Sequence, residues 1–213
     1  MPKLRVHNFA VSLDGFAAGP DQRADAPLGV GGERLHEWVF RTRYGREMMG
    51  ETGGEIGVDN DCLAAGDRNI GATIMGRNMF GPVRGEWPDH SWMGWWGETP
   101  PYGHDTFVMT HYPRPSLTMK GGTTFHFVSG EPEAVLKQAF DAAAGQDVRL
   151  GGGAGTVRSF LAAGLVDELH LALVPILLGG GERLFDDLGA LPGYRVADMV
   201  STGTVTHLRF AKQ

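Results

Sequence analysis

The sequence has little cysteine. Cys62 is the only cysteine among 213 residues, so the chain cannot form an internal disulfide. Neither a second cysteine nor a group of histidines stands near Cys62 in the sequence, and zinc sites normally need such a cluster. We therefore expect no bound metal, and a reducing compartment suits the unpaired thiol.

Long apolar runs are also missing. No stretch reaches the roughly 18 consecutive apolar residues that would suggest a membrane span. Residues 1–5 lead into no apolar segment of the kind found in signal peptides. These features predict a soluble, cytoplasmic protein that does not cross a membrane.

Positive charge is scarce as well. The 19 Lys and Arg residues are outnumbered by 25 Asp and Glu, which gives a formal net charge of −6. Binding to nucleic acid over a broad surface needs clustered basic residues. We expect no nucleic-acid partner, and we expect any bound phosphate to be held at a local site.

What the chain does contain is enough apolar residues for one sizeable core. Its 213 residues are 42% hydrophobic, which fits a single domain over residues 1–213. The 33 glycines fall in short clusters without a collagen-like period, so they indicate turns and close backbone approaches.

Runs typical of strands alternate with helical patterns along the chain. The predicted strands cover residues 4–11, 71–76, 106–110, 123–128, 148–150, 169–174 and 205–210. The predicted helices cover residues 35–42, a segment capped by Asp59, residues 131–144, and a segment that ends at Gly164. A long loop is predicted over residues 81–103. The alternation predicts an α/β fold with a mostly parallel, mixed central sheet and helices on both faces.

The glycine cluster that begins at Gly151 follows a predicted strand directly and precedes a predicted helix. Consecutive glycines at a helix start expose several backbone N–H groups at the positive end of the helix dipole, where an anion binds well. Glycine lets phosphate oxygens approach because it has no Cβ. The alternative is a plain tight turn, since the spacing matches neither common phosphate-binding motif. The candidate residues are Gly151, Gly152, Gly153, Ala154, Gly155 and Thr156.

A second candidate for phosphate binding follows the strand at residues 71–76. Arg77 comes directly after Gly76, at the edge of the sheet where ligands collect in open α/β folds. Thr110 and His111 end the next strand, so the three side chains are expected to share a pocket. Taken singly, Arg77 fits a surface ion pair better and His111 a loop histidine better, so the prediction rests on their combination.

These segments together resemble a known family, the dihydrofolate-reductase-like superfamily. Within it, the chain is similar to the reductase domain at the C-terminus of the riboflavin-biosynthesis protein RibD, as a stand-alone member. The likeness covers nearly the whole chain and rests on the order of six segments: Ser12-Leu13-Asp14-Gly15, Ile74-Met75-Gly76-Arg77, Val108-Met109-Thr110-His111, Gly151-Gly152-Gly153-Ala154, residues 164–169 and residues 174–181.

The resemblance implies an NADPH molecule across the carboxyl edge of the sheet. Its pyrophosphate would lie at the turn of residues 151–156, and its 2′-phosphate near Gly76, Arg77 and Asn78 and near Thr110 and His111. The nicotinamide would lie beside Ala10 and Val11, with Gly15 and Phe16 in an adjacent mobile loop. Closing that loop would shield hydride transfer from water.

The sequence departs from the RibD pattern at two places. Leu150 stands before the paired glycines where those reductases commonly have Glu, and Asn78-Met79-Phe80 follows Gly76 where they tend to have Thr-Val and Asp. These departures argue against the ribosylated pyrimidine of that pathway as the substrate. Folate reduction uses a buried carboxylate to engage the pterin, and the sequence does not identify which of Glu37, Glu55 and Asp59 would take that place, so we do not expect a folate enzyme.

Two further features are open to two interpretations. Asp14 either orients a substrate, which would make it the candidate catalytic residue, or simply forms an Asp-Gly turn. Trp92, Trp95 and Trp96 either form an aromatic wall for a flat substrate, or they cap the sheet or contact a second copy of the chain.

We therefore expect an NADPH-dependent reductase that transfers a hydride to a small, flat heterocyclic or carbonyl substrate. The resemblance is to 5-amino-6-(5-phosphoribosylamino)uracil reductase. The alternatives are a nucleotide-binding or sequestering protein without turnover, and a structural oligomerisation module. A homodimer is expected, with residues 174–181 contributing to the contact.

Overall fold

The computed structural model describes residues 1–81, 84–190 and 193–213. Its main helices are α1 Glu37–Arg41, α2 Arg43–Met48, α3 Val58–Gly66, α4 Arg77–Phe80, α5 Pro132–Ala142 and α6 Ala154–Ala162. Its strands are β1 Leu4–Ser12, β2 Phe16–Ala18, β3 Ile70–Gly76, β4 Asp105–Met109, β5 Leu117–Thr118, β6 Thr124–Val128, β7 Asp147–Gly152, β8 Glu168–Val174, β9 Glu182–Arg183, β10 Tyr194–Ser201 and β11 Thr206–Lys212.

Nine strands form one sheet in the order β10-β11-β8-β1-β7-β3-β4-β6-β5. The strands from β8 to β6 run parallel, while β5, β10 and β11 add antiparallel pairs at the two edges. Parallel neighbours need crossover connections, and helices supply several of them. The fold is thus an α/β sheet that is mostly parallel and mixed, as the sequence predicts.

Helices cover both faces of this sheet. Consecutive residues of a strand point to opposite faces of the sheet. Ile74 therefore packs on one face with residues of α5 and α6, and Met75 packs on the other face with Phe80 and with tryptophans of the loop that follows α4. On that second face, Leu35 and Trp38 pack with Ala172 of β8. Burial on both faces explains why the central strands read as nearly continuous apolar runs.

A bulge in β1 adjusts which residues face α5 and α6. The pairing of β1 with β8 shifts register between Val6 and Phe9, and Asn8 has a left-handed φ of 54°. Because the extra residue restores the alternation, Val6 and Phe9 both reach the same core. The bulge therefore keeps both halves of the strand buried while its carboxyl end reaches the ligand edge.

The structure corrects several predicted elements. The helix predicted over residues 35–42 is divided at His36, where a 3₁₀ turn ends and α1 begins. It stops at Arg41, because Thr42 is extended and caps α2 by accepting a hydrogen bond from the Gly45 N–H. Asp59 does not cap α3; Gly57 occupies that position, and Asp59 lies in the first turn of the helix. The sequence also did not predict β10 and β5, which lie at the two edges of the sheet, or the short pair formed by β2 and β9.

The single thiol has histidine neighbours that are far from it in the sequence. Cys62 Sγ and one ring nitrogen each of His170 and His207 lie within 4.8 Å of one another. The expectation that no Cys/His cluster surrounds Cys62 was therefore wrong, because the fold brings together residues that are distant in the sequence. The polar atoms already have protein partners, however, because Arg209 donates to Cys62 Sγ and a chain of hydrogen bonds joins the two rings.

That chain of hydrogen bonds fixes the tautomers of both histidines. The Asn8 N–H donates to His170 Nδ1, so His170 Nε2 carries the proton and donates to His207 Nδ1 at 3.0 Å. His207 Nε2 then donates to Asp59 Oδ1 at 3.0 Å. Burial lowers the pKa of His170 to about 2 and also lowers that of His207. Both rings are therefore neutral in the folded protein near pH 7.

No helix in the described part of the chain combines the length and the hydropathy that crossing a membrane would require.

The free energy of unfolding should fall as the pH drops below the pKa of an unfolded histidine. Between pH 6.5 and pH 4 these histidines bind protons in the unfolded chain but stay neutral in the folded protein. Each ring therefore lowers the free energy of unfolding by up to about 1.4 kcal/mol per pH unit. His170→Gln should reduce this slope in urea unfolding measured across that range. The control is His90→Gln at an exposed loop position. Equal slopes in all three proteins would contradict the assignment.

Candidate functional site

A cleft of ≈ 840 Å³ lies where the parallel strands end. Residues at the carboxyl ends of β1, β3, β4, β6 and β7 all line it, and open α/β sheets bind their ligands at this edge. The volume lies within the range usual for small-molecule and cofactor sites, about 300–1,000 Å³. The lining includes Ala10, Gly76, Met109, Val128 and Gly152.

The glycine cluster forms one wall of the cleft as a strand-to-helix junction. Gly151 and Gly152 end β7, and Gly153, the N-cap residue of α6, has no side chain to accept from the first N–H groups of the helix; the Thr156 N–H donates to the Gly153 carbonyl. Those groups sit at the positive end of the helix dipole. A Cβ at Gly153 would meet nothing within 4 Å of it. The junction therefore leaves open space in front of backbone donors, which suits an anion.

Gly76 is required for a different reason, the close approach of β3 to α6. A Cβ built on Gly76 would lie 2.2 Å from Thr156 Oγ1 and 3.4 Å from the Gly152 carbonyl oxygen. Its φ of −80° is open to any residue, so space rather than backbone conformation demands glycine here. This contact brings the start of α4 beside the start of α6.

Arg77, the first residue of α4, brings a positive charge to the cleft. Its Nη1 donates to the Gly85 carbonyl at 2.9 Å and to Thr110 Oγ1 at 3.3 Å. Its guanidinium lies 3.2 Å from the centre of the Trp87 ring. Within the described ranges, its Nε and Nη2 are buried without a partner and no carboxylate pairs with it. Burial, reinforced by Arg114, lowers the pKa of Arg77.

The structure brings most of the predicted cofactor residues together. Those that line the cleft are Ala10, Gly76, Arg77, Asn78, Thr110, His111 and residues 151–156. Val11, Gly15 and Phe16 are not part of the lining. Val11 belongs to the core against α5 and α6, and Phe16 is buried beneath the Arg183 guanidinium.

Asp14 is held in a network that fixes a turn outside the cleft. Its carboxylate accepts hydrogen bonds from the Ser12 hydroxyl and from the backbone N–H groups of Leu178 and Gly179. The Ser12 hydrogen bond is the main cause that lowers the pKa of Asp14 to about 2. The geometry corresponds to the turn interpretation, and Asp14 ties the end of β1 to the segment after β8.

The three tryptophans predicted for the substrate separate into two environments. Trp95 and Trp96 line the cleft, whereas Trp92 does not. Trp92 donates its indole N–H to the Phe80 carbonyl, and Trp96 stacks on Phe125 at 5.9 Å. Much of the loop therefore covers the second face of the sheet, and Trp95 is the ring left for a ligand.

Sequence reasoning missed His36, which ends a short 3₁₀ turn over residues 32–36 and lines the cleft. Its Nδ1 is buried and has no hydrogen-bond partner in the described part of the chain. In the sequence, His36 lies inside an apolar helical pattern without any motif around it. Only the folding of this turn against β1 and β2 brings the ring to the ligand edge.

The sheet order, the glycine junction and the cleft define a dihydrofolate-reductase-like α/β protein. Dihydrofolate reductase from Enterococcus faecalis, solved in complex with NADP(H), superposes with a TM-score of 0.52 at 13% identity over 99% of this chain and 96% of that one. Within this fold the family is also defined: the chain belongs to the RibD C-terminal domain family, whose model matches residues 2–208.

Other comparisons agree with this family. A putative riboflavin biosynthesis protein from Shewanella sp. PV-4 has a TM-score of 0.62 at 20% identity, over 99% of both chains. The uncharacterized protein YyaP of Bacillus subtilis is 46% identical over 44 residues, which are 21% of this chain and 23% of that protein. The match thus spans less than a quarter of that curated relative.

Adding a methyl group at Gly76 should disturb the contact between β3 and α6. Gly76→Ala should lower the free energy of unfolding by about 1–3 kcal/mol, the usual cost of overpacking. Thr156→Ala in the same protein removes the closest clashing atom and should recover part of the loss. Urea unfolding of the two single variants and the double variant measures the coupling. Strictly additive effects would show that the two residues do not compete for space.

Proposed function

We propose that this protein is an NADPH-dependent reductase that transfers a hydride to a small, flat heterocyclic or carbonyl substrate. The observation that carries the proposal is Arg77, a partly desolvated cation without a carboxylate partner in the described residues, in the same cleft as the free N–H groups of α6. An unpaired cation and a helix N-terminus in one cleft suit a ligand with separated phosphates.

The residues present fit a dinucleotide with a 2′-phosphate. The junction at residues 151–156 would hold the pyrophosphate, because Gly153 presents no side chain and the first N–H groups of α6 have no cap. Arg77 and Thr110 would hold the 2′-phosphate, with Asn78 and His111 beside them. Ala10, small and at the carboxyl end of β1, would leave room for the nicotinamide.

The bound cofactor supplies the hydride, so the protein's part is placement and exclusion of water. The cleft is formed by rigid strand ends, which would hold the ring and the substrate at a fixed distance. No catalytic role is proposed for Asp14, because its carboxylate is committed to Ser12 and to the segment at Leu178 and Gly179. Water remains the simplest proton source.

The relatives support a reductase and leave the substrate open. A deaminase/5-amino-6-(5-phosphoribosylamino)uracil reductase from Thermotoga maritima has a TM-score of 0.55 at 13% identity, and this chain spans 57% of it. At 13% identity the similarity supports a shared fold. That this chain has a similar reductase activity is our proposal. We further propose that residues 1–213 act as one reductase domain; the homodimer and the cytoplasmic location stay predictions.

Removing the Arg77 guanidinium should affect the binding of NADPH far more than the binding of NADH. Arg77→Ala should weaken NADPH binding by about 10- to 100-fold, which corresponds to the loss of one charged hydrogen bond, and should change NADH binding little. Isothermal titration with both cofactors measures this. The control is Arg114→Ala, because Arg114 also lies over the Trp87 ring but does not line the cleft. Equal losses of NADPH and NADH would refute the 2′-phosphate assignment.

A side chain at Gly153 should block the pyrophosphate without unfolding the protein. Gly153 has φ −72° and ψ −170°, and a Cβ there meets no protein atom within 4 Å, so valine fits the backbone. Gly153→Val should abolish binding of NADPH and NADH while the unliganded melting temperature stays near that of the wild type. Gly203→Val, which also meets nothing within 4 Å, is the matched control away from the cleft. Retained binding would remove the junction from the site.

A further inference from the structure

The cleft contains one polar side chain that the proposed cofactor site does not use. His36 lies at the end of the 3₁₀ turn over residues 32–36, which packs against β1 and β2. Its Nδ1 is buried without a hydrogen-bond partner in the residues described, although the ring lines the cleft. A buried polar atom left unsatisfied is costly unless a ligand or water completes it.

The chemistry of this imidazole is that of a neutral hydrogen-bonding group. Burial is the main cause that lowers the pKa of His36. The Gly32 carbonyl of the same turn lies near the ring and opposes this shift, although its geometry falls short of a hydrogen bond to Nδ1. A neutral imidazole offers one donor and one acceptor, which matches the edge of an amide or lactam ring. It offers no positive charge to a phosphate or a carboxylate.

The charged side chains around the cleft point to the same conclusion. Besides Arg77, the described lining contains one arginine, Arg84, and two carboxylates, Glu131 and Glu182. Arg84 Nη2 lies 3.2 Å from Glu182 Oε1, so its charge is already matched. Once Arg77 holds the cofactor, the described lining has no unpaired Lys or Arg for a second phosphate, and the Glu131 carboxylate would repel one.

The surfaces near His36 suit a flat, uncharged molecule. Ala17, Ala18, Pro27 and Leu28 line the cleft there, and Gly32 packs directly against Leu28. Trp95 supplies an aromatic ring in the same lining. Aromatic side chains stack well on planar heterocycles. Small apolar walls, one aromatic ring and one neutral hydrogen-bonding group together favour a planar ligand with a polar edge.

We propose that the substrate of this cleft is an uncharged, unphosphorylated planar heterocycle whose polar edge hydrogen-bonds to His36 and whose ring stacks on Trp95. The proposal rests on the proposed reductase function and narrows its substrate class. It also gives a physical reason to exclude a phosphoribosylated pyrimidine: its phosphate would find no unpaired cation. His36 acts here as a specificity-determining residue.

The test compares compounds that differ only by a phosphate. Uridine and its 5′-monophosphate, inosine and its 5′-monophosphate, and riboflavin and flavin mononucleotide are titrated calorimetrically into protein saturated with NADP⁺. The protein variants are wild type, His36→Leu, His36→Gln and the exposed control His90→Leu. Titration of NADPH alone into each variant is done first, which tests the proposed function separately.

The expected result is that at least one unphosphorylated member binds the wild type about 10-fold or more tightly than its phosphate, as an unmatched charge would require. His36→Leu should weaken the binding of that compound by about 10-fold, which corresponds to the loss of one buried hydrogen bond, and should leave NADPH binding unchanged. His36→Gln keeps a donor and an acceptor and should restore most of the affinity. His90→Leu should match the wild type.

Three results would overturn the proposal while NADPH still binds: no member binds, a phosphate binds as well as its free partner, or His36→Leu leaves the affinity unchanged. Loss of NADPH binding in His36→Leu would show instead that the residue shapes the cofactor site, which also contradicts it. If the wild type binds no NADPH, the reductase function itself fails, and the outcome is distinguishable from the others.

Discussion

The contact between the end of β3 and the start of α6 determines the shape of the cleft. Because Gly76 has no side chain, Thr156 Oγ1 can occupy the space where a Cβ would stand. Two short segments that follow neighbouring parallel strands are thereby brought together, one beginning with Arg77 and the other with Gly153. The anion binding that we propose for this cleft depends on this packing, since neither segment alone would concentrate positive potential there.

A second constraint is the unbalanced charge of Arg77. A guanidinium taken partly out of water loses hydration, and here the Trp87 ring and two oxygen atoms replace only some of it. An anionic ligand of the kind we propose would recover the loss that remains. Without a ligand, the Arg77 guanidinium is less stable than a paired one would be, which is common at functional sites.

How far the sequence predicts this molecule depends on burial. The central strands were predicted because both of their faces are buried, and the run at residues 71–76 has the apolar composition this demands. The edge strand β10 was missed because most of its side chains are exposed and a register shift interrupts it, so its apolar residues, such as Val196 and Met199, show neither a clean alternation nor a continuous run. Asp59 looked like a helix cap, but tertiary hydrogen bonds to His207 and Thr204 use its carboxylate instead. Within the site, Arg77 and the glycine cluster at residues 151–153 could be predicted because each follows a buried strand. His36 could not, because it reaches the cleft only when its 3₁₀ turn packs against β1.

The position of β1 in the sheet has a consequence for how the chain folds. The N-terminal strand lies between β7 and β8, with Leu4 opposite Val148 and Val6 opposite Leu169. Both partners of β1 come from segments much later in the sequence, and contacts so distant in sequence slow folding. Until β7 and β8 are in place, the apolar side chains of β1 stay exposed to solvent, where the strand can pair with other chains. The centre of the sheet therefore cannot assemble before the segment that ends at Val174 is available to fold.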